Sequence, residues 1–279
     1  MIKILDYTDK LDYLVIAHTQ SLKDTAGKID FTGDDIYTGL ARKLGLINRK
    51  ENIYNHPQVI DLSYEHHKLH AACAFYRSGF ETATAVIVDG AGTFIPMNIT
   101  GTPETVWELE TIFECEYPNK FQTVFKHLGG RGPFGSIYMK EASLYQDQEP
   151  FDIAIDDSAG IVKAYEAVTQ YCGWNPIEAG KTMGLSPYGK ENNKIPTIYN
   201  TDEWISADRN IIVPTYPNGA VVNEGKFDFL RTDLKNLQDN EDLTLLESRR
   251  DLSYAVQKES QEAVLKLIKQ AVEKTGNKN

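Results

Sequence analysis

Cysteine is scarce: Cys73, Cys115 and Cys172 are the three in the chain, an odd number with no close spacing. That argues against a disulfide framework and against a cysteine-based zinc site. Cys73 sits in an Ala-Ala-Cys-Ala run and reads as a small buried apolar residue. No apolar run approaches the roughly 20 residues that a membrane-spanning helix needs. The opening Met1-Ile-Lys-Ile-Leu-Asp-Tyr7 lacks the basic start, apolar stretch and small-residue cleavage site of a signal peptide, so a cytoplasmic protein off the membrane is expected. Positive charge is also in deficit, with 29 Lys and Arg against 40 Asp and Glu, a net charge of -11. Such a balance argues against broad nucleic-acid binding while leaving room for a local phosphate pocket. Low-complexity tracts, fixed-period repeats and a Ser- or Cys-His nucleophile signature are missing as well.

What remains is ordinary globular composition, 41% hydrophobic and 25% charged over 279 residues, enough for a sizeable core in one or two domains. Residues 11–20 hold a short strand signal. Ile36, Leu40 and Leu44 mark a helix over 34–46, and Val59–Leu62 reads as a strand. Tyr64–Ser78 has helical spacing, followed by a buried strand Ala83–Asp89, a tight turn Gly90–Thr93 and a returning strand Phe94–Ile99. Residues 135–146 and 160–172 read as helices, and 210–223 as a hairpin around Pro217-Asn-Gly219. The strongest helix comes last, with Leu252, Ala255, Val256, Ala263, Val264, Leu267, Ile268, Ala271 and Val272 at helical spacing. Strands and helices in this order predict a layered α/β fold. A domain break could fall near 150–158, but no convincing linker marks it.

Three constellations could carry chemistry. In Glu65-His-His-Lys-Leu-His70, His66 and His70 are four apart on one helical face and could grip a metal ion, while His67 points elsewhere. The competing reading is a pair of surface or hydrogen-bonded histidines. In Val86-Ile-Val-Asp-Gly-Ala-Gly-Thr93, a strand delivers Asp89 to a glycine turn whose backbone N–H groups could approach a phosphate. Asp89 could instead complete the metal site, since carboxylate plus imidazole suits Fe, Mn or Zn. A ligand-free Asp-Gly turn is the plain alternative. The third is Glu178-Ala-Gly-Lys-Thr-Met-Gly-Leu-Ser-Pro-Tyr-Gly189. It is not a Walker A loop, because the upstream glycine position is Asn175, but Lys181 could meet an anion. A plain loop between helices is the alternative there. Weaker still are the glycine-rich loop around Arg131, which could touch phosphate, and His18, a polar filler or substrate contact.

The order of these motifs resembles one family. Glu65-His-His-Lys-Leu-His-Ala-Ala-Cys-Ala-Phe-Tyr76 is similar to the His-His-x-x-His-Ala-Ala-x-Ala-Phe/Tyr helix of O-carbamoyltransferases of the nodulation and antibiotic-tailoring type. Ser78-Gly-Phe80 and Ala85-Val-Ile-Val-Asp-Gly-Ala-Gly92 follow in the family's order. Gly180-Lys-Thr-Met-Gly-Leu-Ser-Pro-Tyr-Gly189 resembles its Gly-Lys-x-Met-Gly-Leu-Ala-Pro-Tyr-Gly, and Asp251-Leu-Ser-Tyr-Ala-Val-Gln-Lys258 the start of its long helix. The likeness spans roughly residues 56–275, and four ordered motifs are far more specific than one.

The resemblance implies an actin/Hsp70-like (ASKHA) α/β lobe. It places His66, His70 and Asp89 on a divalent metal, iron(II) foremost, and Gly90, Gly92, Lys181 and Gly184 beside a carbamoyl adenylate. The implied reaction makes that adenylate from carbamoyl phosphate and ATP, then passes the carbamoyl group to the hydroxyl of a small-molecule acceptor. Departures are expected to matter. No Gly/His-Asp-x-Ser-type loop precedes the matched region, which leaves the acceptor-activating base and one phosphate contact unassigned. Thr93 stands where an acidic residue is common. The glycine-glycine loop and the YrdC-like adenylate-forming lobe that follow in family members are not found, so a partial domain over 1–279, completed by a second chain, is expected. The alternatives are a threonylcarbamoyl-transfer relative and a non-catalytic remnant.

Overall fold

The structure, a computed structural model, describes residues 2–19, 35–48, 56–99, 101–132, 135–144, 149–200, 204–215, 218–226 and 247–279. The chain divides into two units, Met1–Leu69 and His70–Asn279. The first carries β1 (Leu14–Ile16) paired in parallel with β2 (Val59–Asp61), and α1 (Ile36–Lys43). Asp35 starts α1 by accepting the N–H groups of Tyr37 and Thr38 at 2.8 and 3.0 Å, which satisfies two of the helix's orphan donors. Ala41, Leu46 and Ile47 form this unit's core, whereas Ile36, expected on the inner face, is exposed.

The dividing line falls inside one unbroken helix, α2 (His66–Ser78), which packs on the sheet of the second unit. That unit is built on β3 (Thr82–Val88), β4 (Phe94–Ile99), β5 (Thr102–Glu116), β6 (Lys120–Gly129), β7 (Ile137–Ala142) and β8 (Phe151–Asp156). They form one six-stranded sheet in the order β3-β5-β6-β8-β7, with β4 also on β5. β6 and β8 run parallel and the other pairs antiparallel, a mixed α/β arrangement as expected. Then come α3 (Ile161–Tyr171), α4 (Ala179–Leu185), two short strands β9 (Tyr199–Asn200) and β10 (Ser206–Ala207), the hairpin β11 (Ile212–Thr215) and β12 (Gly219–Val222), and α5 (Glu247–Thr275). Among the described residues no helix is long and apolar enough to cross a membrane.

The helices α3 and α5 pack on one face of the sheet, and α2 packs on the other beside β3 and β5. Along β8, Ile153 and Ile155 join Ile95, Val106 and Leu128, while Ala154 between them faces α3 and α5. Leu252, Val256, Ala263, Leu267 and Ala271 recur every three or four residues of α5 and are buried in that main core. Each larger side chain of this stripe contributes about 1.5–3 kcal/mol by burial. The stripe is narrower than its sequence suggested, for Ile268 is exposed.

Four expectations are corrected, the first being Cys73 on α2, expected to be buried and in fact exposed. Of the helix expected over 135–146, the described residues 135–144 are not helical and the last two positions lie outside the described residues: Ile137 and Met139 join the Ile153 cluster while Tyr138, between them, stacks on Trp204, which is strand alternation. Residues 150–158 are no domain break, because β8 sits inside the sheet. Nor do Ala83–Asp89 and Phe94–Ile99 form a hairpin. β5 is 15 residues long, and its one edge takes both β3 and β4 end to end. Val88 pairs with Glu110 and Phe94 with Trp107, so Asp89–Thr93 lies opposite only Glu108 and Leu109. The surplus residues are extruded as a wide bulge.

Close approach at Gly189 shows how tightly α5 is seated. A Cβ there would lie 2.0 Å from the Arg250 carbonyl oxygen, whereas one at Gly180 would meet nothing within 4 Å. Gly189→Ala is expected to destabilise the protein by about 3 kcal/mol. Gly180→Ala, in α4, is expected to stabilise it by about 0.5–1 kcal/mol. Urea unfolding of both variants checks the opposite signs.

Candidate metal and anion site

Packing fixes the rotation of α2. Ala71 and Phe75 sit against Ala83, Ile87, Phe113 and Cys115, and His67 is buried in the same i, i+4 stripe. His66 and His70 therefore lie one step round the helix, toward the end of β3. Asp89 follows the last residue of that strand, where its N–H donates to the Leu109 carbonyl at 3.0 Å. One ligand atom from each of His66, His70 and Asp89 can be chosen so that all lie within 4.8 Å of one another. His70 Nε2 and Asp89 Oδ2 are 3.8 Å apart. Ligands about 2.0–2.2 Å from a metal stand about 3–4 Å apart, so small side-chain rotations close the set. Two imidazoles and one carboxylate, with His70 exposed and the others half-buried, would leave coordination positions open. The donor chemistry fits a divalent transition metal.

The bulge differs from the expected phosphate cradle. The N–H of Gly90 donates to Asp89 Oδ1 at 2.6 Å, and that of Gly92 to the Glu108 carbonyl at 2.8 Å. Thr93 N–H donates to Glu108 Oε2, also at 2.8 Å. So the carboxylate beside Thr93, where an acidic side chain was expected, comes from the neighbouring strand. Gly90 is buried against α3: a Cβ on it would lie 3.2 Å from Lys163 Cε and 3.3 Å from Lys163 Nζ. Asn218 Nδ2 donates to the Gly90 carbonyl at 3.1 Å.

Lys181 and Gly184 are not brought to this bulge. They lie in α4, which is docked by Thr182 Oγ1 donating to Thr169 Oγ1 at 2.8 Å, near the far end of α3. Lys163 and Thr169 are separated by about 9 Å of helix rise. Lys181 is exposed and pairs with Glu178 at 2.7 Å. A capping box of Asn175 and Glu178 precedes α4, so the segment is ordered helix rather than loop. Arg131, a candidate phosphate contact, instead lies 5.0 Å over the Trp107 ring and donates to four carbonyls, of Gly130, Asp157, Thr215 and Gly219. His18 falls in the first unit, with Nδ1 at 3.5 Å from Thr19 Oγ1.

Beneath the bulge runs a buried charged array that sequence reasoning missed. Glu108 pairs with Lys126. Glu110 Oε2 accepts from His127 Nδ1 at 2.6 Å, and its Oε1 accepts the Ile161 N–H that opens α3, at 3.0 Å. His127 Nε2 faces Asp156 Oδ2 at 3.2 Å, poorly aligned for a hydrogen bond, so charge attraction dominates. Burial works against a charged His127, but the Asp156 carboxylate, then Glu110, push its pKa up to about 10. Burial likewise opposes a charged Asp156, yet the His127 imidazolium, its contact and the Trp204 N–H hold it down at about 2. The residues alternate along β5 as on any half-exposed strand, so nothing in the sequence marks them as buried.

The family model described as "Carbamoyltransferase N-terminus" matches residues 7–278. No curated protein matches the chain.

The array makes stability depend on pH with a definite sign. A raised folded-state pKa gives His127 a contribution that is complete below the unfolded value of 6.5 and lost as pH climbs toward 10. Wild type should lose up to about 1.4 kcal/mol per pH unit across that window relative to His127→Gln. The variant should itself be about 3–5 kcal/mol less stable at neutral pH, because two buried carboxylates lose their cation. Urea unfolding at a series of pH values measures both.

Proposed function

Since the chain belongs to the family of carbamoyltransferase N-terminal domains, we propose that it is the metal-binding lobe of an O-carbamoyltransferase, cytoplasmic and actin/Hsp70-like in fold. It passes a carbamoyl group from carbamoyl adenylate, itself made from carbamoyl phosphate and ATP, to a substrate hydroxyl. The observation that carries this reading is the convergence of His66, His70 and Asp89 within 4.8 Å, two from one helix and one from the strand end beside it. A bound divalent metal, iron(II) foremost, supplies Lewis acidity toward the carbamoyl carbonyl or the adenylate phosphate.

The remaining work falls to side chains. In the transfer, the acceptor oxygen forms a bond to the carbamoyl carbon, the bond from that carbon to the phosphate oxygen breaks, and AMP leaves with the electron pair. The acceptor's proton passes to solvent or to a base. Asp89 has two tasks here: its Oδ2 faces His70, and its Oδ1 accepts the Gly90 N–H and holds the bulge shut. The helix rotation imposed by Ala71 and Phe75 keeps both imidazoles aimed at that carboxylate.

Anaerobic loading with iron(II) or manganese(II), followed by elemental analysis, tests the reading. Wild type is expected to hold close to one metal per chain. His66→Ala/His70→Ala should lower affinity by more than the ~10–100-fold that loss of an outer-shell partner costs. Asp89→Asn should weaken it in the same direction. Full retention by the double variant, or a folded wild type that binds no divalent metal, contradicts the assignment.

A further inference from the structure

We propose that Lys163 is the anion contact of this site, and that with Asn218 it selects a ligand carrying both a phosphoryl oxygen and an NH2 group. This deepens the carbamoyl-transfer reading and rests on it. The bulge cannot serve through its glycine N–H groups, because Gly90 and Gly92 donate to Asp89 and to the Glu108 carbonyl. A cation is then the stronger partner for an anion, and among the described residues three stand near the bulge. Lys126 is buried against Glu108. Arg131 is committed to four backbone carbonyls.

Lys163 differs from both. It lies in the first turn of α3 with its side chain about one-fifth exposed, and its Nζ pairs with Glu166 at 2.8 Å. An ammonium carries three donors, so this single pairing leaves capacity for a phosphoryl oxygen. It reaches the bulge only because Gly90 has no side chain: a Cβ there would meet its Cε and Nζ, and Val162 Cγ1, at 3.2–3.3 Å. The glycine thus admits a lysine rather than baring an amide. The positive end of α3 adds to the attraction for an anion.

Asn218 supplies the second half. Its Nδ2 holds the Gly90 carbonyl, while its Oδ1 is buried without a hydrogen-bond partner. A buried orphan acceptor calls for a donor. A carbamoyl phosphoester offers one, its NH2, on the same small molecule as the phosphoryl oxygens.

Two stable probes separate these roles: phosphonoacetamide, with both groups, and 2-oxopropylphosphonate, in which methyl replaces NH2. Titration calorimetry on manganese-loaded protein would use wild type, Lys163→Gln, Lys163→Arg and Asn218→Ala, with metal content and melting temperature recorded for each. Lys163→Gln is expected to weaken both probes by about tenfold or more at unchanged metal content, with part of the loss recovered in Lys163→Arg. Asn218→Ala should erase a wild-type preference for the amide. Affinities for Lys163→Gln within twofold of wild type, or a metal-loaded wild type that binds neither probe, overturn the inference while the metal site stands. A wild type that takes up no metal overturns the underlying reading instead.

Discussion

Glu108 and Glu110 project from one strand into the protein interior, and each carboxylate ends on a backbone N–H of a segment that shapes the site. Glu108 holds Thr93, the foot of the bulge, and Glu110 holds Ile161, the start of α3. Two carboxylates out of water would each cost several kcal/mol if unpaired. Lys126 and a protonated His127 remove that cost, and Asp156 keeps His127 charged from its other side. The bulge and the helix that packs on it are thereby referenced to the same stretch of β5. Loss of Lys126 would loosen the bulge, and loss of His127 the start of α3.

From that anchoring the rest of the geometry follows. The Asp89–Thr93 bulge exists because β5 is long enough to pair with β3 and β4 in succession, opposing five residues with only two of its own. The extruded segment carries Asp89 toward α2 on one side and sets Gly90 under α3 on the other. One short loop thus joins a cluster of metal-type donors to a lysine and an asparagine from later in the chain. Sheet, bulge and helix start form a rigid frame of the kind that precise positioning requires.

Much of this was legible in the sequence, for identifiable reasons. The His66–His70 spacing, the apolar run into Asp89 and the 3–4 periodicity of the last helix are local signals, and local geometry realises them. The failures share one cause, which is that pairing partners are chosen across the fold. Gly90–Thr93 reads as a hairpin turn unless β5 is known to accept both flanking strands. Ile137, Tyr138 and Met139 look helical until their alternation meets two separate cores. Glu108, Glu110 and His127 look like surface residues of two-sided strands, yet all three are buried, Glu110 against the start of α3. Separately from these, Lys181 and Gly184 lie near the other end of α3 from the bulge, and the anion role expected of them is not tested by that position.

The measurement that bears most directly on the central claim is X-ray absorption at the metal edge of the loaded protein. Two imidazole nitrogens and carboxylate oxygen at about 2.0–2.2 Å, with one imidazole lost in His70→Ala, are the expected result. A first shell without imidazole scattering, or one unchanged by that substitution, would contradict the assignment of His66, His70 and Asp89 as the metal centre.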